Sequence, residues 1–140
     1  MKKQLTELHL LMERADLVYI ADEIVKHYNL PTKVKFKQSF KRKNNNDKGT
    51  YAWREDTIYI RPQGYKNVKD FIETILHEIH HAVRVHRYGY KEFIKKYQQA
   101  GQVAAYLGKD RYFANKWERK AEGWAKHEYK RYFKDKFFDV

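Results

Sequence analysis

An α+β fold is predicted for this 140-residue chain. Three observations predict it. Apolar residues recur at spacings of three and four in several long stretches, the period of a helix with one buried face. Between the first two of these stretches lie short runs in which apolar and polar residues alternate or aromatic and β-branched residues cluster, the mark of strands. No break in composition divides the chain, so residues 1–140 are expected to form a single domain, near the usual allotment of about 100–200 residues. A small sheet containing a hairpin, packed on one long helix and joined by further helices, satisfies all three.

The elements follow in order. Residues 3–28 carry Leu5, Leu8, Leu11, Met12, Ala15, Val18, Tyr19 and Ile24 at helical spacing, and Asn29-Leu30-Pro31 ends the run, since the residue before a proline avoids the helical region. Val34, Phe36 and Gln38 alternate with lysines as in a half-buried strand. Lys41 to Gly49, with three consecutive asparagines, reads as a loop. Thr50–Trp53 and Thr57–Ile60 flank Arg54-Glu55-Asp56 and read as a hairpin. A long helix is expected over 68–88, capped by Asn67 and stopped by Gly89. A third helix is expected over 91–107, weakened by Gly101. A last helix is expected over 112–137, with Phe113, Trp117, Ala121, Trp124, Ala125 and Tyr129 on its apolar stripe.

Composition excludes several classes. With no cysteine, the chain is neither a disulfide scaffold nor a thiol enzyme nor a cysteine zinc finger. No apolar run approaches the roughly 18 residues of a membrane span, and the start of the chain lacks a signal core. A cytoplasmic location is therefore expected, with no membrane partner. The formal charge of +12 favours anionic partners and weak nucleic-acid binding, yet no helix-turn-helix, RNP or zinc-finger signature accompanies it.

The chemistry concentrates in His77-Glu78-Ile79-His80-His81. His77 and His81, four apart on a helix, share a face, so two imidazoles can converge on one metal ion. Glu78 lies beside the first of them, where it can accept a proton from metal-bound water. From 7 histidines and 10 glutamates this H-E-x-x-H pattern has a chance expectation of about 0.02 per chain. His80 sits one position off that face and is expected to be a buried helix histidine. His86 lies about 500° around the helix from His81 and faces elsewhere. Arg84 and Arg87 occupy the places of the glycine and third histidine of the metzincins, which excludes that class.

Zinc catalysis needs a third protein ligand. Downstream, Glu118 and Glu122 stand four apart beside the aromatic stripe. Glu118 is assigned as the ligand and Glu122 as the carboxylate that receives a ligand histidine's N–H; the reverse assignment stays open, and Glu73 is a further orienting group.

These residues resemble a family. The stretch 49–82, a hairpin feeding the H-E-x-x-H helix, looks like the small zincin metallopeptidases. Glu118-x-x-Ala121-Glu122-x-Trp124-Ala125 is similar to the glutamate helix of gluzincins, closest to the ImmA/IrrE type of phages and mobile elements. The resemblance implies a minimal zincin-like fold, bound Zn2+, and a metalloendopeptidase acting on a protein or peptide substrate. It implies His77, His81 and Glu118 as metal ligands and Glu78 as general base on zinc-bound water. Departures are His80, where a glycine is frequent, and Glu122, where Asn or Asp is. SprT-like proteins share H-E-x-x-H and a basic, DNA-associated character but use a third histidine, for which His127 is the candidate. The alternative function is thus a basic, nucleic-acid-associated zincin-fold protein, SprT-like or a non-catalytic binding module. For a peptidase, Thr57–Ile60 is expected to offer a strand edge to extended substrate. Tyr88, Tyr106, Tyr112, His127 and several arginines are candidates for a second oxyanion donor.

Overall fold

A computed structural model describes residues 14–37, 48–134 and 136. The expected helix start at residues 3–13, the strand end at Gln38, most of the 41–49 loop and the tail beyond 136 lie outside the described residues. These form four α-helices, one π-helical turn and a three-stranded mixed sheet, an α+β arrangement.

Helix α1 (Arg14–His27) buries Leu17, Ile20, Ala21, Ile24 and Val25. The stripe read from the sequence is off by about one position, because Tyr19 is largely exposed. The helix ends as expected, with Asn29 in the left-handed region at φ 55 ahead of Pro31. Asparagine tolerates that conformation better than most residues.

The strands are β1 (Lys33–Phe36), β2 (Gly49–Ala52) and β3 (Thr57–Ile60), in the order β1-β3-β2. The hairpin β2–β3 is antiparallel and pairs Tyr51 with Ile58. β1 runs parallel to β3, with Val34 opposite Ile58 and Phe36 opposite Ile60. β3 therefore holds partners on both sides, which corrects the expected substrate edge. Its run of Thr57, Ile58 and Ile60 is buried, as a central strand requires. The edge strand against the long helix is β2. It starts at Gly49, a residue earlier than the hairpin pattern indicated. A side chain there would bring a Cβ within 3.1 Å of Thr74 Cγ2 and 3.5 Å of Glu78 Cγ, so glycine lets β2 lie close on that helix.

Helix α2 (Val68–Tyr88) is the hub. Asn67 caps it, its side chain accepting from the Asp70 N–H at 2.8 Å. Phe71, Ile72, Ile75, Leu76, Ile79 and Ala82 are fully buried on it. Removing such a face from water stabilises by roughly 25 cal/mol per Å2 of apolar area. Gly89, at φ 85, turns the chain directly into α3 (Tyr90–Tyr106), with Gly101 tolerated inside it.

The last helix is shorter than expected. α4 spans Lys116–Glu128, and a π-helical turn continues it over Tyr129–Phe133. Asp110 explains the late start: its carboxylate accepts from the Tyr112 and Phe113 N–H groups at 2.8 Å each, closing a turn. Asn115 then caps α4, accepting from Trp117 N–H and donating to the Tyr97 carbonyl at 3.0 Å. Phe113, assigned to the apolar stripe from its spacing, belongs to the turn and is 66% exposed.

Candidate metal centre

α2 presents His77 and His81 one turn apart on one face, with ring centroids 5.2 Å apart. α4 packs along α2 and brings Glu118, the third residue of its first turn, between the two rings. His77 Nε2 and His81 Nε2 each lie 2.8 Å from Glu118 Oε1. The three ligand atoms fall within 4.8 Å of one another, close enough to bind a metal ion. Two imidazole nitrogens and one carboxylate oxygen are the donor set that suits a tetrahedral divalent ion with bonds of about 2.0–2.2 Å, the fourth position open to solvent or substrate. The residues present fit such an ion.

The electrostatics fit as well. Glu118 is only 7% exposed, and burial alone would push its carboxyl up. Hydrogen bonds from His77, His81 and Tyr97 outweigh that and hold it well below the usual carboxylate range, so the ligand is anionic at neutral pH. Its place in the first turn of α4 adds the favourable end of the helix dipole. Burial pulls the His77 imidazole down, but the Glu118 hydrogen bond and the charges of Glu78 and Glu118 prevail and raise it.

Glu78 is buried and lines the cleft of about 270 Å3 that opens beside His77, along with Gly49, Thr74 and Tyr112. It also faces a smaller 140 Å3 recess with His81, Tyr97, Tyr112 and Glu118. The carboxylate thus stands at the junction of the cleft and the ligand cluster.

Glu122 is placed differently from the expectation. It lies on the cleft rim, 65% exposed, and pairs with Lys126 at 3.5 Å. One further helical turn carries it about 6 Å along α4 from Glu118, and Lys126, four residues on, captures it. The side chain that does orient the cluster is Tyr97, whose hydroxyl donates to Glu118 Oε2. Sequence reasoning missed it, since nothing local separates Tyr97 from the other eleven tyrosines. The signal in hindsight is its position on the face of α3 that Asn115 ties to α4.

The remaining candidates resolve by geometry. His80 is buried, its ring tilted against Trp124 with centroids 5.6 Å apart, and is depressed to about 3, first by burial and then by Arg84. His86 reaches away to Asp56, 3.1 Å from both carboxylate oxygens. His127 bonds the neighbouring Glu128 at 3.2 Å and is not in the cluster. Glu73 lies 3.9 Å from Lys69 and lines the cleft. Tyr112 borders the cleft, whereas Tyr106 is 90% exposed and lines neither the cleft nor the recess. No helix among the described residues is long and apolar enough to cross a membrane. No protein-family model, curated protein or solved structure was found to match the chain.

Proposed function

We propose that the chain is a zinc-dependent metalloendopeptidase of minimal zincin-like form, with His77, His81 and Glu118 as ligands and Glu78 as general base. The observation that carries this reading is the convergence of two imidazoles and one carboxylate beside a cleft lined by a buried glutamate. When bound, zinc supplies Lewis acidity and makes water a nucleophile near neutral pH. The chain's own residues do the rest. Glu118 stays ionised and offsets the positive charge at the site. Glu78 Oε accepts a proton from the attacking water and returns it to the departing amine nitrogen. Tyr112, which lines both the cleft and the recess, is assigned the role of hydrogen-bond donor to the carbonyl oxygen of a bound peptide. The edge of β2, held close to α2 by Gly49, suits an extended substrate strand.

The test combines metal analysis with hydrolysis. Purified chain is expected to carry one zinc and to generate new termini in a proteome-derived peptide library, read by mass spectrometry, and chelator should abolish them. Glu78→Gln should keep the zinc and lose at least about 100-fold in rate. Hydrolysis at the parent rate in that variant refutes the base assignment. Nucleic-acid binding as the sole function predicts salt-dependent association with DNA and no chelator-sensitive cleavage.

A further inference from the structure

A second concavity lies between the C-terminal half of α3 and the start of α4. It encloses about 440 Å3, against 270 Å3 for the cleft, and the two share no lining residue. Its floor is apolar. Ala100 and Ala104 are small enough to leave the hollow, and Val103 on α3 and Leu107, which caps its end, are each 60% exposed within it. Its rim is cationic. Lys96, Lys109, Lys116 and Arg119 line it, and no carboxylate does. Lys96 has Glu92 at 3.8 Å. Lys109, Lys116 and Arg119 have no acidic partner within 4 Å among the described residues.

Exposed aliphatic side chains beside three cations without an acidic partner mark a surface made for a partner that is apolar at its centre and anionic at its margins. We propose that this groove docks an acidic amphipathic helix from another protein. Leucine-like side chains seat on Val103 and Leu107, and carboxylates face Lys109, Lys116 and Arg119. Nucleic acid fits less well. Phosphates would use the cations, but single-strand binding also needs open aromatic faces for bases. The one aromatic lining the groove, Trp117, is buried and has Lys116, Lys120 and Arg84 over its ring at 5.1, 5.0 and 5.7 Å. A second copy of the chain fits poorly too, because each carries +12. The groove shares no lining residue with the cleft, so docking is expected to persist without bound metal.

The probe is a fluorescein-labelled peptide of about 15 residues, four helical turns, with leucines at helical spacing and glutamates elsewhere. Controls are a peptide of the same composition in scrambled order and a single-stranded oligonucleotide of equal length. Anisotropy titration of the full chain is expected to show binding of the amphipathic peptide that weakens with salt and is unchanged by chelator. Leu107→Glu and Lys109→Glu, both at exposed positions, should each weaken it by about tenfold or more without altering thermal melting. The proposal is overturned if the scrambled peptide binds equally well, if neither substitution weakens binding, or if the oligonucleotide displaces the peptide. It is equally overturned if the free chain sediments as a dimer that Leu107→Glu dissolves.

Discussion

Tyr97 donates its hydroxyl hydrogen to Oε2 of Glu118, the oxygen that His77 and His81 leave open. The carboxylate is thereby held on both sides: two imidazoles fix one oxygen and a phenol from α3 fixes the other. Tyr97 is itself packed against Trp53 and His81, with ring centroids 5.7 and 6.2 Å apart. A buried anion with three donors keeps one orientation, which is what a metal ligand requires before the ion arrives.

Tyr97→Phe removes that donor and keeps the ring. Metal affinity is expected to fall by about 10–100-fold while the far-UV circular dichroism stays unchanged. Competition against a chromophoric chelator measures it. An affinity equal to the parent's would mean the phenol does not orient the ligand.

Glu118 and Glu122 have separable roles. Glu118→Ala or His81→Ala should purify without stoichiometric metal, because two donors are left. Glu122→Ala should retain full metal, since that side chain is engaged with Lys126 on the rim. Elemental analysis of the three variants decides. Metal lost from Glu122→Ala would restore it as a partner of a ligand histidine.

Gly49→Val tests the fit of β2 on α2. A Cβ at this position meets Thr74 Cγ2 at 3.1 Å, and the branched side chain forces the strand outward. On the proposed peptidase reading, hydrolysis should drop by about tenfold or more, as small misplacements near a reacting centre do, with metal content preserved. Unchanged hydrolysis would show that β2 does not position substrate.

Asp56 joins both ends of the sheet to α2. It accepts from Thr32 at 2.8 Å, from Tyr51 at 2.7 Å and from His86 at 3.1 Å. Burial pushes its carboxyl up, but the hydrogen bonds from Tyr51, Thr32 and His86 prevail and hold it below the ordinary value. A depressed folded pKa contributes stability above the unfolded value of about 3.9 and loses it as pH falls through the lower folded value. Asn tolerates the left-handed backbone at this site, where φ is 48. Asp56→Asn is therefore expected to be less stable at neutral pH, by at most about 1 kcal/mol once solvent screening is allowed for, with the gap closing as pH falls below the unfolded value. Urea midpoints across that range give the comparison. A gap independent of pH would place the loss in packing and not in the carboxylate's charge.

Much of this molecule was legible in its residues. The 3.6-residue period of Phe71, Ile72, Ile75, Leu76 and Ile79 fixed α2, and with it the shared face of His77 and His81, because helical geometry relates residues four apart whatever surrounds them. Glu118 was legible as a candidate from its place on a second amphipathic run. Gly89 and Asn67 marked the ends of α2 through conformations and hydrogen bonds that act within a few residues. Long-range placement was another matter. Nothing in Lys33–Phe36 declares that it pairs parallel to β3 and so closes the edge that Thr57–Ile60 was expected to offer. Spacing alone favoured Glu118 as the ligand but left the reverse assignment with Glu122 open. Only the packing of α4 against α2 buries one between the imidazoles and leaves the other to Lys126. Tyr97 reaches Glu118 across 21 residues of sequence, through the capping of α4 by Asn115 and the packing of α3. Periodicity reports which face of an element is buried; which residues of different elements meet on that face depends on how those elements dock, and the packing of all of them together decides it.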